Sequence, residues 1–330
     1  MEEIDANTEN KKKKKICILV AAYNEEEVLN DFYDEVTKVI NNIKEYDFEI
    51  LFINDGSKDT TLSIMKELRK KDERVSYVNL SRNHGKELAV YAGIMYVTDD
   101  TDAVAFFDAD LQDPPSLIPE FIKWWEKGYD QVCAKRRSRA GETFFKKFTS
   151  KIYYKIVRNL SDINVDIDTG DCRLIDKRCV NILKQIPEVS RNNKTLFNHI
   201  GYKQKAILFD RQEREAGETK FNLTKMVDLA VEGIIGSGKK LIRHMLKIVM
   251  AFGLISFALL VWYIVTLITK GHNNELLLYT ILTIFMTVLT GMLWIIAEYI
   301  GTIYIETKAR KAFYVDEYNG KRIENTKEKF

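Results

Sequence analysis

Ala103-Val104-Ala105-Phe106-Phe107-Asp108-Ala109-Asp110-Leu111-Gln112-Asp113 passes directly from an apolar run into a cluster of carboxylates. A short apolar run of this kind reads as a strand buried on both faces. Alternate residues of extended chain project the same way, so Asp108 and Asp110 share a side and Asp113 opens the next turn. The pattern recurs upstream. Ile16-Cys17-Ile18-Leu19-Val20 ends in Tyr23-Asn24-Glu25-Glu26, Phe48 to Ile53 ends in Asn54-Asp55-Gly56-Ser57, and Val75 to Leu80 forms a third strand. Between these runs the spacing is helical: Val28, Phe32, Val36, Val39 and Ile43 share one face, as do Leu62, Met65 and Leu68 behind an Asp59 or Thr60 cap. Helices over Leu88 to Val97 and around Leu117 to Trp125 flank the quoted strand, and Gln131 to Ala134 follows as a fifth. Strand and helix in alternation predict βαβ units on a largely parallel sheet. Ligands bind such sheets beyond the carboxyl ends of the strands, which here are acidic. Carboxylates gathered there repel unless a cation sits among them. A Mg2+ or Mn2+ ion held by one or two carboxylates and by substrate phosphates meets that need.

Composition sets outer bounds. With 330 residues, 30% charged and 11% aromatic, the chain has material for about two domains and is neither a disordered polymer nor collagen-like. A net charge of +2 gives no global reason to expect a nucleic-acid partner. Cys17, Cys133, Cys172 and Cys179 show no CxxC spacing and the histidines are scattered, which predicts reduced thiols and no zinc site. Met1 to Asn10 is polar and acidic, unlike a secretory signal, and Lys11 to Lys15 is a solvated or anionic-lipid-touching run.

From Met245 the character changes. Leu246 to Ile268 carries only Lys247, and Leu276 to Ala297 carries no charge, so each can cross a hydrocarbon core of about 30 Å. Lys239, Lys240, Arg243 and Lys247 precede the first span, and Lys308, Arg310 and Lys311 follow the second. This places both termini and the α/β half in the cytoplasm. Glu298 falls at the cytoplasmic end of the second span. Residues 222–244 mix apolar and basic positions, and two readings stand: amphipathic helices on the membrane face, or helices packed on the catalytic half. The resulting division is a polar, basic tail (1–15), a catalytic domain (16–221), the amphipathic segment (222–244), two spans within 245–305 and a C-terminal cytoplasmic tail (306–330).

Five motifs in order, Ala21-Ala22-Tyr23-Asn24-Glu25-Glu26, Asn54-Asp55-Gly56-Ser57, Arg82-Asn83-His84-Gly85-Lys86-Glu87, Asp108 to Pro115 and Gly217-Glu218-Thr219-Lys220-Phe221, resemble family 2 glycosyltransferases. The nearest branch is the polyprenyl-phosphate glycosyltransferases, including bactoprenol glucosyltransferases and dolichol-phosphate mannose synthase. The resemblance runs from Ile16 to Phe221, and the two spans match the bacterial members. Two departures lie at the donor side: Ala21 where many members have Pro, and Asn54 where many have Asp.

The resemblance implies a glycosyltransferase A fold, a Rossmann-like, mostly parallel α/β domain, here with a C-terminal two-helix transmembrane hairpin. It implies that Tyr23 and Glu25 contact the base and ribose of a nucleotide sugar and Asp55 the base, with Ala22 and Lys86 also on the donor side. Asp108 and Asp110 approach the diphosphate and the metal, with Gln112 as a further ligand and Asp110 counted with the catalytic residues. A lipid phosphate needs fork-shaped donors, which arginine provides. The residues matching the family's phosphate binders are Arg136, Arg139, Arg214 and Lys220. The family's candidate base or orienting residue matches Asp171, and both roles stay open because a phosphate monoester with a second pKa near ~6 is largely ionised already.

The expected activity is inverting transfer of a single sugar, with glucose from UDP-glucose as the leading donor of the bacterial branch, to undecaprenyl phosphate. The product would be a lipid-linked sugar for cell-envelope glycan modification. A homotetramer is the assembly the family suggests. Two rivals remain: a polysaccharide synthase of the same fold, which the chain's lack of Gln-x-x-Arg-Trp disfavours, and a non-catalytic membrane scaffold.

Overall fold

The computed structural model describes residues 13–137, 169–189, 191–209, 261, 275–308 and 310–323. They divide into two compact units. The first takes in 1–141, 166–219 and 311–330, the second 142–165 and 220–310.

The first unit is built on one sheet. Its strands are β1 (Lys14–Ala22), β2 (Tyr46–Asn54), β3 (Val75–Leu80), β4 (Ala103–Asp108), β5 (Gln131–Arg136), β6 (Thr169–Asp176), β7 (Gln204–Phe209), β8 (Val315–Tyr318) and β9 (Lys321–Arg322). They lie in the order β7-β5-β6-β4-β1-β2-β3-β8-β9. Pairing is parallel among β4, β1, β2 and β3 and between β5 and β7, and only β6 and β8 run against the rest. The expected alternation thus gives a mostly parallel α/β sheet.

Both faces are covered because the strands are apolar on both. Ile16, Ile18 and Val20 join Phe32 and Val36 of α1 (Leu29–Ile40), Met65 of α2 (Thr61–Lys71) and Phe121 of α4 (Ile118–Glu126) in one core. Cys17 and Leu19, pointing the other way, join Ala92 of α3 (Lys86–Tyr96), Leu183 of α5 (Lys177–Gln185) and Phe197 of α6 (Asn193–His199) in the second. Gly93 allows α3 to lie close on β1: a Cβ there would meet Leu19 Cδ1 at 2.6 Å. That approach sets where the first residue of α3, Lys86, stands.

Three sequence expectations change here. Lys14 and Lys15 belong to β1 rather than to the tail, because Lys15 is held by Glu49 at 2.8 Å and Asp100 at 3.3 Å. β6 has no counterpart in the periodicity, since Asp171 and Arg173 interrupt its apolar residues. Finally, the expected C-terminal tail holds β8 and β9, joined through Asn319 and Gly320, both at positive φ, as a tight hairpin turn requires. Asn79 donates to Asp316 at 3.2 Å, Tyr77 Oη donates to Glu317, and Val315 is 3% exposed in the second core.

In the second unit, α7 (Glu275–Thr307) is one continuous helix. Within it, Ile284–Tyr304 has a mean hydropathy of 1.7 and is long and apolar enough to cross a membrane. This stretch begins and ends later than the expected Leu276 to Ala297 and runs through Glu298, because nothing after Ala297 breaks the helix. Phe285, Leu289, Leu293 and Ile296 are exposed along it. The first expected span, Val261 apart, and the amphipathic segment 222–244 lie outside the described residues.

Candidate active site

The carboxyl ends of β1, β2 and β4 deliver the residues singled out from sequence, and neighbouring loops hold one another in place. Asn24, at φ 53, accepts from Lys58 N–H at 2.9 Å through Oδ1 and donates its own N–H to Ser57 Oγ at 3.0 Å. Glu25 N–H donates to Thr61 Oγ1 at 2.9 Å, and Glu26 Oε2 accepts from Thr60 N–H at 2.9 Å. Tyr23 sits half-buried at the start of this loop. Asp55 N–H donates to the Ala22 carbonyl at 2.9 Å, so those two expected donor residues are adjacent.

Asp55 is 3% exposed, and its two oxygens accept from His84 N–H at 2.7 Å and Gly85 N–H at 2.9 Å. Burial pushes its pKa up from the usual carboxylate value, against the lowering effect of these two donors. Its carboxylate therefore holds the turn that starts α3. Gly56 completes this junction. It has φ 65, and a Cβ would lie 2.3 Å from the Arg82 carbonyl carbon. Asn54, 1% exposed, donates to Asn79 Oδ1 at 2.7 Å, which an aspartate at this position could not do when ionised. The departure from the family pattern thus suits the Asn54–Asn79–Asp316 chain that leads to β8.

The centre of the site is a lysine between two carboxylates. β6 runs antiparallel to β4 with Phe106 opposite Arg173, and continuing that register brings Asp171 opposite Asp108. Lys86 Nζ lies 2.8 Å from Asp108 Oδ1 and 2.8 Å from Asp171 Oδ2. Desolvation pulls the Lys86 ammonium down, but both carboxylates outweigh it and hold its pKa above the ordinary lysine value. The Lys86 charge in turn draws Asp171 down to about 2 against the effect of burial, with Arg173 and Lys194 adding to the pull. Arg173 is fully buried, donates Nη2 to the Gly170 carbonyl at 3.0 Å and stacks 4.3 Å over the Phe197 ring.

Lys86, Asp108 and Asp171 line a cleft with Phe106, Asn193 and Phe197. Asn193 had no signal in the sequence. It reaches the cleft because its N–H donates to Glu87 Oε2 at 2.6 Å and its Nδ2 to the Glu87 carbonyl at 2.8 Å.

Beyond β4 the chain turns sharply at Leu111, a buried leucine at φ 55, which is an unusual conformation for a bulky residue. Asp110 Oδ1 accepts from Gln112 N–H at 3.2 Å within this turn. Among the described residues there is no group of three or more His, Cys, Asp and Glu placed to hold a metal. Asp108 and Asp110 nevertheless supply two hard oxygen donors at a strand end, the set Mg2+ or Mn2+ uses when phosphates complete its shell. The donor set fits an ion shared with a phosphorylated substrate rather than one caged by protein alone. Arg136 closes β5 opposite Phe209 of β7. Arg139, Arg214 and Lys220 lie outside the described residues.

A model of the glycosyl transferase family 2 matches residues 17–182. The uncharacterized glycosyltransferase sll0501 of Synechocystis sp. is 39% identical over 92% of this chain and 96% of its own length. A prophage bactoprenol glucosyl transferase homolog of Escherichia coli K12 is 36% identical over 91% of this chain and 98% of its own. The bactoprenol glucosyl transferase of Shigella phage SfX matches at 36% over 91% and 98%.

Proposed function

The chain belongs to glycosyl transferase family 2, and we propose that it moves one sugar from a nucleotide-sugar donor to a polyprenyl phosphate. The observation that carries this reading is the convergence of Lys86, Asp108 and Asp171 in one cleft at the carboxyl edge of the sheet. The names of the bactoprenol glucosyl transferase relatives support the lipid acceptor and glucose as the sugar, for which UDP-glucose is the proposed donor.

In the proposed site Tyr23, Glu25, Ala22 and Asp55 form the nucleoside side, Asp55 by holding the Gly56–Gly85 junction as well as by contact. Lys86, Asp108 and Asp110 face the diphosphate. Asp108 and Asp110, with Gln112, would hold Mg2+ or Mn2+, which when bound offsets charge gathering on the leaving diphosphate. Arg136, Arg139, Arg214 and Lys220 take the acceptor phosphate. A phosphate oxygen of the lipid attacks the anomeric carbon while its bond to the diphosphate oxygen breaks, and the electron pair leaves on the nucleoside diphosphate. The configuration inverts through a transition state with oxocarbenium character. No proton need be removed from an acceptor already ionised at neutral pH. With its pKa near 2, Asp171 is a weak base and serves better to orient Lys86 and the acceptor.

Membrane attachment follows a topological argument. β3 precedes residues 210–314 in the chain and β8 follows them, yet the two strands pair. Both therefore lie on one side of any bilayer, and the chain between them crosses an even number of times. If Ile284–Tyr304 is one crossing, the apolar Leu246 to Ile268 supplies the second. This supports a two-helix hairpin with both termini and the catalytic unit in the cytoplasm, where positive charge flanks the spans. Residues 222–244 would rest on the membrane face, and a tetramer is the assembly carried over from the family.

The test is direct. Purified protein is incubated with undecaprenyl phosphate and a panel of radiolabelled nucleotide sugars, with Mg2+, with Mn2+ and with EDTA. A solvent-extractable lipid monosaccharide, lost in EDTA, is the expected product. Polymer would point to a synthase, and no product from any donor would leave a scaffold.

A further inference from the structure

Asn193 opens α6 and is 6% exposed. Its amide orientation is not ambiguous. The Glu87 carbonyl can only accept, so the atom 2.8 Å from it is Nδ2, and Oδ1 is the atom left over. Oδ1 is buried and has no hydrogen-bond partner among the described residues. The second bond, from Asn193 N–H to Glu87 Oε2 at 2.6 Å, fixes the backbone, while the Nδ2 bond holds the amide.

A buried acceptor left unpaired is costly, and a specific native one calls for a ligand or a water. Asn193 lines the same cleft as Lys86, Asp108 and Asp171, where Lys86 lies between the two carboxylates. Phe106, Phe197 and Val90 provide apolar wall. The missing partner is thus a donor carried by a group that also has apolar surface. A sugar hydroxyl beside ring C–H groups has that chemistry, whereas a phosphate offers only acceptors.

We propose that Asn193 Oδ1 accepts a hydrogen bond from one hydroxyl of the transferred sugar and so sets which sugar the enzyme takes, with Glu87 holding it in position. This rests on the sugar-transfer reading above. A site built to bond a hydroxyl discriminates strongly against the analogue that lacks it.

The experiment compares kcat/KM for the preferred UDP-sugar and its singly deoxygenated analogues in wild type, Asn193→Ala and the milder Asn193→Ser, with UDP binding measured in parallel. In wild type one deoxy position is expected to lose about 10- to 100-fold. In Asn193→Ala that single penalty collapses toward unity, while the other penalties and UDP binding stay as they were. Unchanged penalties at every position in a variant that binds UDP overturn the inference and leave the transferase reading intact. Should both variants lose UDP binding, the wild-type series decides alone: one penalised position supports the inference, and none overturns it. A wild type that binds and transfers no sugar of the panel overturns both readings together.

Discussion

At the residue scale the Lys86 bridge explains how two carboxylates from different strands tolerate close approach. Replacing Lys86 with Met leaves Asp108 and Asp171 facing each other without the charge that bridges them. The Asp171 carboxyl, followed by NMR, is expected to titrate near 2 in wild type and higher in Lys86→Met. The sign for stability follows. Because the folded pKa is depressed, the stabilisation from Asp171 is complete above 3.8 and is lost as the pH falls toward 2. The melting temperatures of wild type and Asp171→Asn should therefore differ by a constant amount from pH ~5 to ~8 and converge on further acidification. Asp110→Asn is expected to abolish transfer while leaving the melting temperature nearly unchanged, since the amide oxygen can still accept from Gln112 N–H. Near wild-type turnover with Mn2+ would exclude Asp110 from metal binding.

At the scale of elements, two glycines govern how the site is assembled. Gly93 sets the distance between α3 and β1, and Gly93→Ala must displace the Leu19 side chain, a flexible but fully packed neighbour. Overpacking of this kind costs about 1–3 kcal/mol, measurable by urea unfolding, and is expected to weaken transfer by shifting Lys86. Gly56→Ala is more severe, since its Cβ meets backbone at 2.3 Å and its φ of 65 disfavours any side chain. The β2 and α3 junctions would separate, and nucleotide affinity should fall along with stability. The buried αL turn at Leu111 is a further strained element, and it lies beside Asp110, where strain of this kind often accompanies function.

At the scale of the whole molecule, the catalytic unit is completed by residues that follow the long apolar helix in the chain. Val315→Asp would bury an unpaired charge in the second core. Limited proteolysis should then cut the catalytic unit, although the substitution lies far from every motif in sequence. Single cysteines placed in the Lys270 to Glu275 link should react with an impermeant thiol reagent from outside intact cells, and cysteines placed after Arg322 should not. Labelling of both sites, or of neither, would contradict the hairpin.

Much of this was legible from residues 16–136, where each strand is a local apolar run and each helix a local three-to-four spacing. Burial on both faces leaves that signature in the sequence, and acidic residues at the strand ends drew attention to the carboxyl edge where Lys86, Asp108 and Asp171 meet. The C-terminal hairpin was legible in principle through Asn319-Gly320, but two short strands without a sheet to join carry little signal. The partnership of Asp108 with Asp171, the lysine between them and the lock of Asn193 on Glu87 depend on register across strands and on helices distant in the chain. No local periodicity encodes such contacts. Local physics therefore determined the elements and the family motifs, and only tertiary packing decided which charges meet, which acceptor is left open and which end of the chain completes the sheet.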